Sequence, residues 1–169
     1  MQFRYRSRRP AVQRGFTLVE LMVVVLIISV LATLSVPAIQ RTKMKAKTAA
    51  IVSDFRTFAT AFDTYAQETG KWPAEAGVGV IPPLMVGRLN TTAWKRQTPM
   101  GGRYNWEYNR LHFGVRYKAA ISISATAASP LPLDVTQMTD IDERIDDGDL
   151  MSGSFRYGTG FVPLFVIQP

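Results

Sequence analysis

Glu20 is the only charged residue between Phe16 and Val36, in the run FTLVELMVVVLIISVLATLSV. A carboxylate inside such a segment costs roughly 2.5 to 3.5 kcal/mol on insertion scales, so it is retained where something pairs with it. A second set of groups with possible chemistry is the acidic cluster Asp140, Asp142, Glu143, Asp146, Asp147 and Asp149. Calcium needs about six to eight converging oxygens. The spacing fits no EF-hand loop, and Asp142 and Asp146 share a helix face expected to meet solvent. Two readings stand for this cluster: a solvated helix end, or a calcium site with Asp146, Asp147 and Asp149 as ligands. His112 is the single histidine and falls on the polar side of an expected strand, where a solvated imidazole is ordinary. With no cysteine, no glycine-rich phosphate loop ending in Lys-Ser/Thr and no carboxylate pair in a catalytic setting, no catalytic residue is assigned. The chain is read as non-enzymatic, with no cofactor other than the calcium considered above.

The elements that position these groups begin with charge. Arg4, Arg6, Arg8, Arg9 and Arg14 put five of the twenty basic residues in the first fifteen positions with no acid. The remainder holds 15 basic against 13 acidic residues, so the formal charge of +7 belongs mainly to a leader. The 21 residues that follow are long enough, at about 1.5 Å rise each, to cross a hydrocarbon core of roughly 30 Å. Leader arginines favour a cytoplasmic N-terminus, whereas Arg41, Lys43, Lys45 and Lys47 beyond the span argue the other way. The N-in orientation is preferred. An apolar helix with no polar face would need a larger protein than the remainder to bury it. The stronger rival is an ordinary secretory signal cut near Ile39, since Val36-Pro37-Ala38 offers small residues to a signal peptidase; Glu20 speaks against it.

Arg14-Gly15-Phe16-Thr17-Leu18-Val19-Glu20 resembles the processing site of type IV prepilins and of the pseudopilins of type II secretion. The resemblance implies cleavage after Gly15 by a prepilin peptidase that also methylates the new amine on Phe16. It makes Glu20 and Pro37 assembly residues and places the chain in the bacterial inner membrane, with one span and a periplasmic head. Implied partners are the peptidase/methyltransferase, other pilin-like subunits of a filament, an inner-membrane assembly platform and the lipid bilayer. In a staggered filament the Glu20 of one subunit can meet the Phe16 amine of its neighbour, so a mismatched stagger would leave two unpaired charges in hydrocarbon.

Pro37 has no amide hydrogen for the carbonyl of Thr33, and a helix running through it is expected to kink or open locally. Helical periodicity resumes with Ile51, Phe55, Phe58, Phe62 and Tyr65 on one stripe, and Gly70 then Pro73 supply the stop. The chain therefore divides into a basic leader (1–15), a transmembrane and assembly helix (16–37), the exported half of the same helix (38–70) and a globular head (71–169).

The head opens with a Gly- and Pro-rich connection, with a short helix expected near Val86 to Trp94. Tyr104, Trp106 and Tyr108 alternate with polar residues, and odd positions from Leu111 to Ala125 are apolar, which predicts strands with a bend or hairpin near Lys118 to Ala120. One face of that sheet should cover the Ile51 to Tyr65 stripe. Val135, Met138, Ile141 and Ile145 predict a short amphipathic helix ended by Gly148, and Phe155 to Tyr157 and Phe161 to Ile167 predict two last strands. The fold class is α+β: a long kinked N-terminal helix on a small antiparallel sheet.

Residues 94–118 hold six basic and six aromatic side chains against one acid, a composition that suits single-strand nucleic acid. An aromatic row on one strand face is more often core, and nucleic acid is not counted among the partners. The absence of cysteine and the Gly70-Lys71-Trp72-Pro73 exit favour a type II secretion pseudopilin over a type IV pilus subunit for adhesion, motility or DNA uptake.

Overall fold

The computed structural model describes residues 15–169; the expected leader lies outside the described residues except for Gly15. The chain separates into two compact units, one ending at Arg41 and one spanning Thr42–Pro169. Helix α1 (Leu18–Thr69) contributes to both.

In the first unit the apolar side chains of α1 are exposed: Leu18 is 74% exposed and Leu34 70%. The helix is long and apolar enough to cross a membrane. Its hydroxyls are satisfied without water, as a lipid environment requires. Ser29 donates to the Val25 carbonyl at 2.7 Å, Thr33 to the Ser29 carbonyl at 3.0 Å and Ser35 to the Leu31 carbonyl at 2.8 Å. Helical structure continues through Pro37.

In the second unit, Ile51, Phe55, Phe58, Phe62 and Tyr65 of α1 are all buried. They pack on a four-stranded antiparallel sheet of order β1-β2-β4-β3, made of β1 (Arg103–His112), β2 (Val115–Ser124), β3 (Phe155–Tyr157) and β4 (Pro163–Gln168). Phe62 stacks on Trp106 with ring centres 3.8 Å apart, and Phe58 meets Trp94 and Tyr104 edge-on at 4.9 Å. Each indole finds an acceptor, as buried tryptophan requires. Trp94 Nε1 donates to the Val80 carbonyl, Trp106 Nε1 to the Pro73 carbonyl and Trp72 Nε1 to Gln168 Oε1.

The hairpin turns at Phe113-Gly114, not near Lys118 to Ala120. Both residues have positive φ, 46° and 84°, the primed turn whose twist suits a two-residue hairpin. Phenylalanine in place of the usual asparagine hid that signal. Asn109 (φ 56°) also reverses the side-chain alternation, and the β2–β4 register slips between Ala119 and Ala120. Residues toward the turn therefore switch faces. Leu111 and Val115, expected to continue the buried row, are more than half exposed. On the outer face of the sheet a second cluster forms from Tyr117, Ala120, Leu164 and Val166.

The short helix expected near Val86 to Trp94 is α2 (Thr91–Lys95), later and shorter than expected, with its Ala93 amide capped by Asn90 Oδ1, and a 3-10 turn at Pro83–Met85 precedes it. The last helix, α3 (Val135–Ile145), starts at the Asp134 cap. It buries Gln137, Met138, Ile141 and Asp142 while Val135 stays exposed. The solvent position expected for Asp142 is thus corrected: as the neighbour of Ile141 on the inward arc, it is carried into the protein.

Candidate functional site

At the start of α1, Glu20 folds back on Thr17. The Thr17 amide and hydroxyl donate to Glu20 Oε2 at 2.9 and 2.8 Å, and the Glu20 amide donates to Thr17 Oγ1 at 3.2 Å. This is a reciprocal capping box, which satisfies two amides that the first turn leaves without helical partners. The Thr-x-x-Glu spacing that announces it was present in the sequence, and its capping role went unread there. Phe16, one residue outside, is 79% exposed, and Gly15 lies next to it with open space where a β-carbon would be.

Asp142, Asp146 and Asp147 converge at the C-terminal end of α3, with one carboxylate oxygen from each within 4.8 Å of the others. Neither oxygen of Asp142 has a hydrogen-bond partner, though the residue is fully buried. Burial, followed by the charges of Asp147, Asp146 and Asp149, pushes the Asp142 carboxyl up to about 6. Asp146 accepts from the Ser154 amide beside Gly153, which has φ 69° and where any β-carbon would collide with the Asp146 carboxylate. Asp147 accepts the Asp149 amide at 2.9 Å and the Ser152 hydroxyl at 2.9 Å, bonds that hold its carboxyl below the usual range. Asp149, expected in the ligand set, accepts the Met151 amide at 3.0 Å within its own loop. The converging donors are all oxygen, with an unpartnered carboxylate at their centre, and suit a hard cation such as calcium.

His112 is buried, not solvated. The face switch at Asn109 brings it to Glu107, with Nε2 to Oε2 at 2.5 Å. Its Nδ1 accepts the Thr159 amide at 3.0 Å, so Nε2 carries the proton that Glu107 receives. Burial raises the Glu107 carboxyl, but bonds from His112, Ser122 and Asn105 outweigh it and hold the group below its ordinary value. Ser122 donates to Glu107 and not to His112, so the three do not form a nucleophile–base relay. The aromatics considered for nucleic acid are largely core: Trp94, Tyr104 and Trp106 are fully buried.

Residues 11–36 match the family described as the prokaryotic N-terminal methylation motif. The type II secretion system core protein G of Dickeya chrysanthemi is 41% identical over 91 residues, covering 53% of this chain and 57% of that protein. The Klebsiella pneumoniae protein of the same name is 44% identical over 91 residues, covering 53% and 62%. The alignment thus spans roughly three-fifths of these relatives' length. The type IV major alpha-pilin of Moraxella bovis is 29% identical over 80% of this chain and 82% of its own. Among solved structures, the major type IV pilin of Clostridium difficile aligns with TM-score 0.52 at 16% identity, over 75% of this chain and 97% of that one. The chain has a pilin-like fold.

The matched segment encloses Gly15, Phe16 and Glu20 and ends one residue before Pro37. The helix-on-sheet head has the fold expected from the sequence. The Glu107–His112 pair and the inclusion of Asp142 in the acidic pocket escaped the sequence reading, because both depend on which way a strand or helix faces.

Proposed function

We propose that this chain is a structural subunit of a type IV pilus-like filament, a pseudopilin that supports protein export by type II secretion. The observation that carries the reading is Glu20 in the apolar helix, inside a segment that matches the methylation motif. Cleavage after Gly15 by the prepilin peptidase frees the Phe16 amine for methylation. In the filament, that amine pairs with the Glu20 of a neighbouring subunit and sets the stagger, since any other register strands charge in hydrocarbon. Lipid surrounds the span before assembly, the N-terminus faces the cytoplasm and the head the periplasm, and an inner-membrane platform drives polymerisation. The relatives named for type II secretion support the secretion role.

Calcium belongs to the same proposal. Asp142, Asp146 and Asp147 would hold it, and its charge would relieve the carboxylate that burial leaves without a partner. The ion would tie the C-terminal end of α3 to the loop before β3.

The alignment with a type IV pilin over 82% of that protein supports a second reading, a surface pilus. Mass and N-terminal sequence of the protein from native membranes test what the two share. A start at N-methylated Phe16 is expected; a start near Ile39 would mean an ordinary signal peptide and end the filament reading. Loss of an exported enzyme on deletion, with no surface fibre, selects secretion; a fibre containing the chain selects a pilus.

A further inference from the structure

Two phenylalanines of the head occupy backbone conformations that glycine and asparagine usually fill: Phe113 at φ 46° and Phe161 at φ 60°. Neither is repaid by burial, since they are 57% and 58% exposed. Their rings lie 6.0 Å apart, and Tyr157 meets Phe161 edge-on at 5.6 Å. Strained residues of this kind persist where the surroundings over-determine them, and here the surroundings can be named. Ser122 and His112 hold Glu107; His112 Nδ1 accepts the Thr159 amide; and the Phe113 amide donates to Thr159 Oγ1 at 3.3 Å. A polar chain, buried from Ser122 to His112 and exposed at Thr159, therefore ties the β1–β2 turn to the β3–β4 turn, with two aromatic rings side by side at the surface.

Residues 108–118 and 155–162 contain four cations and no carboxylate; Arg110 is paired with Glu75 at 3.4 Å and Arg156 is half-buried, which leaves Arg116 and Lys118 as the exposed charges of these segments. Arg116 is exposed and held by the Asn109 carbonyl at 2.7 Å. The complement lies elsewhere on the same head. Residues 133–143 carry the exposed Asp134 and Glu143 and the half-buried Asp140, with Arg144 next in the chain, and Leu133 (44%) and Val135 (63%) are exposed beside them. Val135 and Glu143 lie eight residues apart on α3 and so share its outer face.

We propose that the Phe113–Phe161 pair of one copy docks on the Leu133–Glu143 face of a second copy of this chain. Aromatic rings cover the exposed Leu133 and Val135 while Arg116 meets Glu143. Because the two patches are different surfaces, the contact is heterologous and each copy retains one free half, so it propagates along a row of heads instead of closing on a dimer. The inference rests on the filament reading above and adds to it a head-to-head contact and its polarity.

The test uses the full chain in native membranes, carrying Phe161→p-benzoylphenylalanine, with isotopically light and heavy copies co-expressed. Irradiation should join position 161 to residues 133–143 in peptide pairs of mixed label. Arg116→Glu should lower that yield at least about fivefold, and Glu143→Arg in the same chain should restore it. Cross-links to another segment, another protein or lipid, links confined to one copy, or a yield indifferent to Arg116→Glu would each overturn the contact. If filaments of the unsubstituted chain form while these links fail, the contact alone is wrong. If neither filaments nor processing at Gly15 occurs, the filament reading falls with it.

Discussion

The Thr17 amide donates to Glu20 Oε2 at 2.9 Å, so the carboxylate assigned to assembly also closes the first turn of its own helix. One side chain would then serve two ends that substitution can separate. Glutamine can complete a capping box but carries no charge. Glu20→Gln is therefore expected to preserve membrane insertion and helix content and still impair filament assembly, as Glu20→Ala should. Sheared-filament yield against membrane-inserted protein measures this; normal filaments from both variants would rule out charge pairing as the registry device.

Asp142 should give opposite answers with and without calcium. In chelator, the buried and unpartnered carboxylate opposes folding near neutral pH, and Asp142→Asn is expected to raise the Tm of the head by several degrees. With millimolar calcium the natural chain should gain Tm and the variant should gain little. Differential scanning calorimetry of the detergent-solubilised chain reads both arms, and equal calcium gains in the two proteins would remove Asp142 from the ligand set.

Glu107 predicts an acid dependence of the opposite sign. Its carboxyl is held below the ordinary value in the folded head, so its contribution to stability is present above the unfolded value of about 4.5 and is lost as pH falls through the folded one. Glu107→Gln should cost roughly 1 to 3 kcal/mol at pH 7 and progressively less in acid. Urea unfolding across pH would show the two curves converging at low pH; parallel curves would contradict the assignment.

Phe62 stacks on Trp106 at 3.8 Å at the centre of the core. Phe62→Ala should destabilise the head by about 3 to 5 kcal/mol, chiefly by leaving a cavity over the indole. Phe161→Ser, at an exposed position, should cost less than about 1 kcal/mol. A chemical-denaturation comparison that ranked them in the reverse order would mean the exposed ring is structural.

Composition and local periodicity were sufficient for the apolar helix, for Glu20 within it, for the Ile51–Tyr65 stripe and for the helix after Asp134. Each of these depends on side chains repeating along a regular backbone, so a short window of residues contains the signal. The tertiary structure alone decided the turn at Phe113-Gly114, the face switch at Asn109, the pairing of His112 with Glu107 and the burial of Asp142. Phenylalanine and asparagine adopt positive φ where distant contacts hold them, here the Thr159 loop against His112 and Phe113. One such residue reverses the alternation of everything beyond it, and a helix that buries Ile141 takes its neighbour Asp142 inward as well. These outcomes are set by packing between segments far apart in the chain.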